Sequence, residues 1–154
     1  MRDCPERLRE FLETMAMVSD ESERASFLIS YADRFKEVPP DIARRPFAED
    51  HRVPFCESDA FAWAVPNPDG SLKFYFAVEN PSGVSAKALA VILDKTLSGT
   101  RPEEVATVSP DIVEKIFRQN ISMGKGMGLM SMVQTVKRLA LRACSQSSLL
   151  QDLA

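Results

Sequence analysis

Cys56 is the residue of this chain whose type and surroundings best suit chemistry. It lies in the segment His-Arg-Val-Pro-Phe-Cys-Glu-Ser over residues 51–58, between a proline-bearing stretch and the first predicted β-strand. The thiolate is the nucleophilic form of cysteine, and nearby cationic side chains favour it. A structural cysteine lies more often in the middle of a helix or strand. Cys56 is therefore a candidate nucleophile, with His51 and Arg52 as candidates for tuning its thiol.

The other two cysteines, Cys4 and Cys144, lie far from Cys56 in the sequence, and no Cys-x-x-Cys spacing occurs. An odd number of cysteines at such spacing indicates neither a disulfide framework nor a zinc site. Cys4 precedes a proline near the start of the chain, and Cys144 follows the last predicted helix. Both are expected to have no part in the chemistry.

The composition narrows the class of protein. With 154 residues, 45% hydrophobic and 27% charged, the chain has the length and composition of one globular domain. The net charge of −3 argues against a general nucleic-acid binder, and no apolar run reaches the roughly 18 residues of a membrane span. Acidic residues from Asp3 to Glu13 exclude a secretory signal or a transit peptide. The expected location is the cytoplasm, or an organelle stroma or matrix if a transit peptide has been removed.

Helices are predicted at both ends of the chain. Leu8, Phe11, Leu12 and Met15 follow the i, i+3, i+4, i+7 pattern of an amphipathic helix. Asp20 can cap a second helix, predicted to run to Phe35. Further helices are predicted over Val84–Leu97, after a capping Thr100, over Ile112–Phe117 and over Leu129–Arg142. Gly124–Gly128 is predicted to be a flexible loop. The methionines at 123, 127, 130 and 132 are expected to pack between helices, with a recognition surface as the alternative.

A β-hairpin is predicted in the middle of the chain. Residues 60–65 and 72–78 are aromatic and β-branched, and the Asp69-Gly70 turn joins them. Since two strands alone are marginally stable, a third strand is expected near the cysteine segment. The whole predicts an α+β single domain over residues 1–154, with its core over about residues 5–143 and a C-terminal tail over 144–154.

Several motifs resemble those of the SufE family of sulfur acceptors, in the order and spacing of that family. The resemblance covers about residues 8–141. The motifs are His51-Arg52-Val53-x-x-Cys56-x-Ser58, Ser22-Glu23-Arg24, Val38-Pro39-Pro40, Lys87-Ala88-Leu89 and Ile121-Ser122-x-x-Lys125-x-x-Gly128-Leu129.

The resemblance implies a SufE/IscU-like fold, with a small antiparallel sheet packed against N-terminal and C-terminal helices. It also implies that Cys56 takes persulfide sulfur from a pyridoxal-phosphate-dependent cysteine desulfurase of the SufS or CsdA type. The chain would stimulate that enzyme and pass sulfur to a scaffold or other recipient in iron–sulfur cluster assembly. His51, Arg52 and Lys125 would bind the partner or tune the thiol. The chain itself would bind no cofactor, metal, nucleic acid or membrane, and would act as a carrier rather than as a stand-alone enzyme.

The chain departs from the family pattern near these motifs. The family residues are glycine, glutamine, tryptophan, aspartate and arginine where this chain has Phe55, Glu57, Phe61, Ser82 and Lys125 respectively. Phe55 is expected either to pack the thiol into an apolar niche until a partner binds, or to anchor the turn as a loop hydrophobe.

Two other functions remain open from the sequence. An iron–sulfur scaffold of the IscU type, or a binding module without sulfurtransferase activity, is disfavoured because a scaffold needs several core cysteines and Cys56 alone is a candidate. A cysteine hydrolase would pair Cys56 with His51, and it requires an orienting third group and an oxyanion site.

Overall fold

The computed structural model describes residues 4–153, with side chains over residues 4–146. The elements in chain order are α1 Glu6–Ala16, α2 Glu21–Ala32, β1 Ala60–Pro66, β2 Leu72–Val78, α3 Val84–Leu97, α4 Pro102–Val105, α5 Ile112–Phe117 and α6 Met123–Leu153. Short 3₁₀ turns occupy Glu49–His51 and Arg118–Asn120. Helices on either side of one antiparallel hairpin in the chain confirm the predicted α+β class.

The two N-terminal helices form for the predicted reasons, but the second is shorter than expected. The Asp20 side chain accepts a hydrogen bond from the Ser22 N–H (2.9 Å) and so caps α2. The prediction that this helix reaches Phe35 is wrong. Asp33 N–H still donates four residues back, but Arg34 N–H donates to Tyr31 C=O (3.0 Å) and Phe35 N–H to Ala32 C=O (3.1 Å), three residues back, and the helix ends in this tightened turn.

The hairpin has the predicted strands, and its two faces bury different clusters. Phe74 and Phe76 belong to the main core, which also contains the buried face of α3. Phe61 and Trp63 lie on the opposite face and pack with Phe47 in a second, smaller cluster. The alternation of side chains along each strand therefore fixes which aromatic residues reach the main core.

The predicted third strand is wrong: in the described part of the chain the sheet has two strands. The residues before Cys56 make a single bridge to β1, at Arg52 and Phe61, and Val53 N–H donates to the Ala60 carbonyl (2.8 Å). Pro54 has no N–H to extend this ladder, and the next residue turns into the left-handed region. The chain leaves the sheet edge here and becomes free to turn.

The sequence predicted helix α3 correctly but placed the start of α4 one residue too early. The bounds of α3 and its buried residues Leu89, Ile92 and Leu93 are confirmed. The prediction that Thr100 caps α4 is wrong, because Thr100 forms a bridge to Leu72 of β2. The helix therefore begins one residue later, after Arg101.

The last helix is longer than predicted at both ends. The predicted loop over Gly124–Gly128 and the predicted end at Arg142 are both wrong, because α6 begins at Met123 and continues to Leu153. Ser122 supports the first turn: its carbonyl accepts from Gly126 N–H (2.9 Å) and its Oγ from Lys125 N–H (3.3 Å). Although α6 has 31 residues, no described helix combines the length and apolar character needed to cross a membrane.

Arg24 is a fully buried side chain at the junction of three helices. Its guanidinium donates to the carbonyls of Met15 (2.6 Å), Val18 (2.7 Å) and Ile116 (3.0 Å). These carbonyls lie at or just beyond the C-terminal turns of α1 and α5, where helix carbonyls lack intrahelical partners. Arg24 on α2 thus joins α1 to α5.

Candidate functional site

The cysteine loop, residues 54–59, is a tight turn that presents Cys56. Phe55 and Asp59 both have positive φ, 59° and 52°, in the left-handed region that non-glycine residues rarely adopt. Asp59 N–H donates to the Cys56 carbonyl (3.3 Å) and closes the turn. Cys56 is half-buried and packs against the edge of the main core.

The α6 helix holds one side of the cysteine loop. Ser131 Oγ donates to the Pro54 carbonyl. Gly128 lies so close that a Cβ there would be 3.0 Å from the Phe55 oxygen and 3.3 Å from Cys56 Cα. Glycine is required at position 128 because the loop backbone lies directly against the helix.

The connection from β2 to α3 holds the other side of the loop. Asn80 N–H donates to the Ser58 carbonyl (3.1 Å), and its side-chain amide approaches the Glu57 carbonyl (3.4 Å). Ser82 Oγ donates to Asn80 Oδ1 (2.8 Å) and fixes the orientation of that amide. A Cβ at Gly83 would lie 2.9 Å from Ser58 Cβ, so the loop is in close contact here too.

A cavity of about 140 Å³ opens beside the thiol of Cys56. The first turn of α3 and the first turns of α6 line it, together with Glu57, Ser58 and Lys125. Helix N-termini carry partial positive charge, and Lys125 adds a full positive charge. Lys125 and the helix N-termini favour a small group with negative charge, such as an anionic sulfur, whereas the Glu57 carboxylate at the same cavity opposes it.

His51 lies on the outer face of β1. Its Nδ1 donates to the Ala62 carbonyl (2.9 Å), and its ring stacks on Trp63, with centroids 5.2 Å apart. His51 is not among the described residues that line the Cys56 cavity. These contacts tie the 3₁₀ turn to β1, and a role for His51 in tuning the thiol remains a prediction.

Arg52 acts as a clamp across the base of the cysteine loop. Its guanidinium forms three hydrogen bonds with Glu49 (2.9, 3.0 and 3.1 Å) and one with Asp59 (3.0 Å). It also lies over the Phe61 ring, 4.7 Å from the centroid. Hydrogen bonding to Arg52 lowers the pKa of Glu49, which keeps that carboxylate charged. These contacts shape the loop, and a direct effect on the thiol remains a prediction.

Phe55 is the largest difference between the expected and the observed site. Both predictions for it are wrong, because its side chain is 87% exposed and so neither buries the thiol nor anchors the turn. Lys125 is also exposed, but it lines the Cys56 cavity from the first turn of α6. Of the three predicted accessory residues, the structure brings Lys125 to the cavity.

Comparison with known proteins identifies the family. The model of the SufE family, described as an Fe–S metabolism associated domain, matches residues 9–140. This chain belongs to the SufE family. The solution structure of a hypothetical protein from Thermus thermophilus is similar, with a TM-score of 0.70 and 25% identity over 92% of this chain and 98% of that chain. No curated protein matches the chain in sequence.

Most departures from the SufE pattern surround the thiol. Phe55 and Glu57 belong to the cysteine loop, and Glu57, Ser82 and Lys125 line the cavity. Phe61 lies under the guanidinium of Arg52. Four of the five residues by which the sequence departs from the SufE motifs described above thus lie in the cysteine loop or at the cavity.

Three residues that hold the SufE cysteine loop were not predicted as site residues: Asn80, Gly83 and Gly128. Asn80 precedes Pro81 in a turn-like sequence, and nothing local indicates a bond to a loop more than twenty residues earlier. Gly128 belongs to the motif that begins at Ile121, but the glycine-rich composition of that segment favours a loop. A glycine can also mark a place where two stretches of backbone lie in close contact, and that is its role here.

The remaining cysteines lie away from the cavity. Cys4 and Cys144 are half-buried, and none of the three cysteines is in a disulfide. Burial raises the pKa of the Cys144 thiol, and the nearby Glu103 carboxylate adds to the effect. In the described part of the chain, no group of three His, Cys, Asp or Glu side chains is placed to hold a metal ion.

Proposed function

We propose that this SufE-family chain is a sulfur acceptor in which Cys56 carries a persulfide. A pyridoxal-phosphate-dependent cysteine desulfurase supplies the sulfur, and a scaffold or other recipient in iron–sulfur cluster assembly takes it. The observation that carries the proposal is the half-buried Cys56 on a loop tied down on both sides, at the edge of a cavity of about 140 Å³. The chain over residues 1–154 is proposed to act as one domain.

The transfer needs no oxidant or reductant. The Cys56 thiolate attacks the terminal sulfur of the persulfide on the desulfurase, a new S–S bond forms at Cys56, and the partner's cysteine leaves as a thiolate. The thiol proton of Cys56 goes to solvent, and the sulfane sulfur keeps its oxidation state. Because one S–S bond replaces another, the site needs access and charge stabilisation rather than an acid–base pair.

The cavity suits the product of this transfer. A persulfide adds one sulfur atom beyond Sγ, and the space beside Cys56 is large enough to hold it. Lys125 and the helix N-termini at the cavity favour the negative charge on that terminal sulfur. The bonds from Ser131 and Asn80 hold the loop backbone, so the thiol is positioned before the partner arrives.

Intact-protein mass spectrometry tests the proposal directly. The chain is incubated with the cysteine desulfurase of the same organism and cysteine, and the expected result is a reducible gain of one or more sulfur atoms. The gain should vanish in Cys56→Ser and persist in Cys4→Ser and Cys144→Ser, which serve as matched controls. Equal losses in all three variants, or no gain on the unmodified chain, would overturn the proposal.

A further inference from the structure

Phe55 has two unfavourable properties in the isolated chain. Its backbone is in the left-handed region, with φ of 59°, and its aromatic ring is 87% exposed. A glycine would adopt this backbone without strain, and a polar residue would avoid exposing a ring. Such a combination in one residue is typical of a site selected for contact with another molecule.

More exposed apolar side chains lie on α3 and α6, the two helices that line the Cys56 cavity. With Phe55 they form a set that we name the apolar rim: Phe55, Val84, Met123, Met127 and Met130. Val84 lines the cavity, whereas the methionines are next to cavity-lining residues of α6 in sequence and line a separate open groove of about 540 Å³. The expectation that the methionines pack inside the protein is confirmed for Met132, which is fully buried, and wrong for Met123 and Met127, which are 87% and 61% exposed.

The geometry of sulfur transfer requires the partner protein to contact the surface around Phe55. The Sγ of Cys56 has to reach bonding distance of a sulfur on the partner, and the Cα of Phe55 is about 3.8 Å from that of Cys56. A ring this exposed and this close to the reacting thiol therefore meets the partner surface in any productive complex. A free small molecule would not require such an exposed aromatic ring beside the thiol.

We propose that Phe55 is the docking anchor by which this chain recognises its desulfurase, with the ring inserted into an apolar recess beside the partner's persulfide cysteine. The proposal rests on the proposed function and adds the chemistry of the partner surface. Ser131 and Gly128 already hold the loop, so little conformational freedom remains to be lost on binding. The unbranched methionines supply adaptable contacts around the anchor.

The Phe55→Gly variant tests this anchor because it separates folding from docking. Glycine relieves the left-handed backbone, so the melting temperature should stay equal or rise. The concentration of this chain that gives half-maximal stimulation of the desulfurase should rise on the order of tenfold or more, as for a buried aromatic anchor. Phe55→Tyr should restore most of the loss. Met17→Ser is the matched control, since Met17 is 84% exposed and lies in the turn after α1, outside the lining of the Cys56 cavity.

Two further readouts distinguish the possible failures. If the desulfurase of the same organism loads no sulfur onto the unmodified chain, the proposed function itself is overturned. If it loads sulfur but Phe55→Gly leaves half-saturation unchanged, or Met17→Ser shifts it equally, the anchor is overturned. Sulfur uptake from inorganic polysulfide is measured in parallel, and an equal loss there would assign the effect to the thiol and also overturn the anchor.

Discussion

At the scale of single residues, the site shows that closeness in sequence did not predict closeness in space. His51 and Arg52 lie within five residues of Cys56, yet their side chains contact β1 and the base of the cysteine loop. Lys125, which is remote in sequence, lines the cavity. The tight turn of the cysteine loop explains this difference, because it separates the direction of the thiol from that of the preceding side chains.

The difference between Cys56 and Cys144 gives a prediction on thiol reactivity. Burial raises the pKa of Cys144, so at neutral pH its thiolate fraction is smaller in the folded protein than in the unfolded chain. Iodoacetamide should therefore label Cys144 several-fold more slowly in the folded protein than in denaturant. Labelling of Cys144 should speed up as the pH rises from about 7 towards about 9.5, because the thiolate fraction grows with pH.

Peptide mass spectrometry at several labelling times measures both rates. Cys56 provides the internal comparison, since it lies at an open cavity and should be labelled readily in the folded protein. Equal labelling of Cys144 with and without denaturant would contradict the effect of burial.

At the scale of elements, periodicity predicted most of the fold. The two strands and α3 were predicted from alternation and from the helical repeat, because their burial follows those patterns. The start of α6 was missed because glycine has poor helix propensity. Contact with the cysteine loop overrides that local preference, and no local pattern in the sequence contains that information.

Gly128→Ala should disturb the site, whereas Gly124→Ala should not disturb it. At position 124 a Cβ meets nothing within 4 Å, so alanine should raise the free energy of unfolding by up to about 1 kcal/mol through helix propensity. At position 128 a Cβ lies 3.0 Å from the Phe55 carbonyl oxygen. Overpacking of this kind costs about 1–3 kcal/mol, so we expect a net loss of stability and a displaced cysteine loop.

Urea unfolding of both variants, with persulfide loading by mass spectrometry, measures this prediction. Gly128→Ala should be less stable than Gly124→Ala and should load sulfur more slowly. If the two variants were equally stable and took up sulfur at the same rate, the contact between α6 and the cysteine loop would not contribute to function.

At the scale of the whole molecule, long-range contacts hold the helices in place and escaped prediction. Arg24 is the clearest case, since an arginine on an amphipathic helix is expected at the surface. Instead its guanidinium donates hydrogen bonds to carbonyls near the ends of α1 and α5. Burial lowers the pKa of Arg24, and the charge of Arg118 adds to this effect. The pairing of helix ends through one buried side chain has no signature in residue spacing, so it becomes visible only in the folded chain.

The proposed complex with a desulfurase gives the last prediction, on Lys125. Arginine, the usual family residue, presents a rigid fork to a carboxylate, whereas lysine offers a flexible point charge. Lys125 is exposed at the cavity and, in the described part of the chain, is in no ion pair. Lys125→Ala should therefore weaken binding by about 1 kcal/mol or less, as a rim charge does, and leave folding unchanged.

Titration calorimetry with the desulfurase at low and high salt measures the contribution of Lys125. The loss in Lys125→Ala should shrink at high salt, because screening weakens an exposed charge pair. Lys115→Ala is the matched control, an exposed lysine on α5 that does not line the cavity. Lys125→Arg should bind more tightly than the unmodified chain if the partner has a carboxylate placed to accept two hydrogen bonds from the guanidinium. Unchanged affinity of Lys125→Ala at low salt would exclude Lys125 from the interface and leave the apolar rim as the surface that holds the partner.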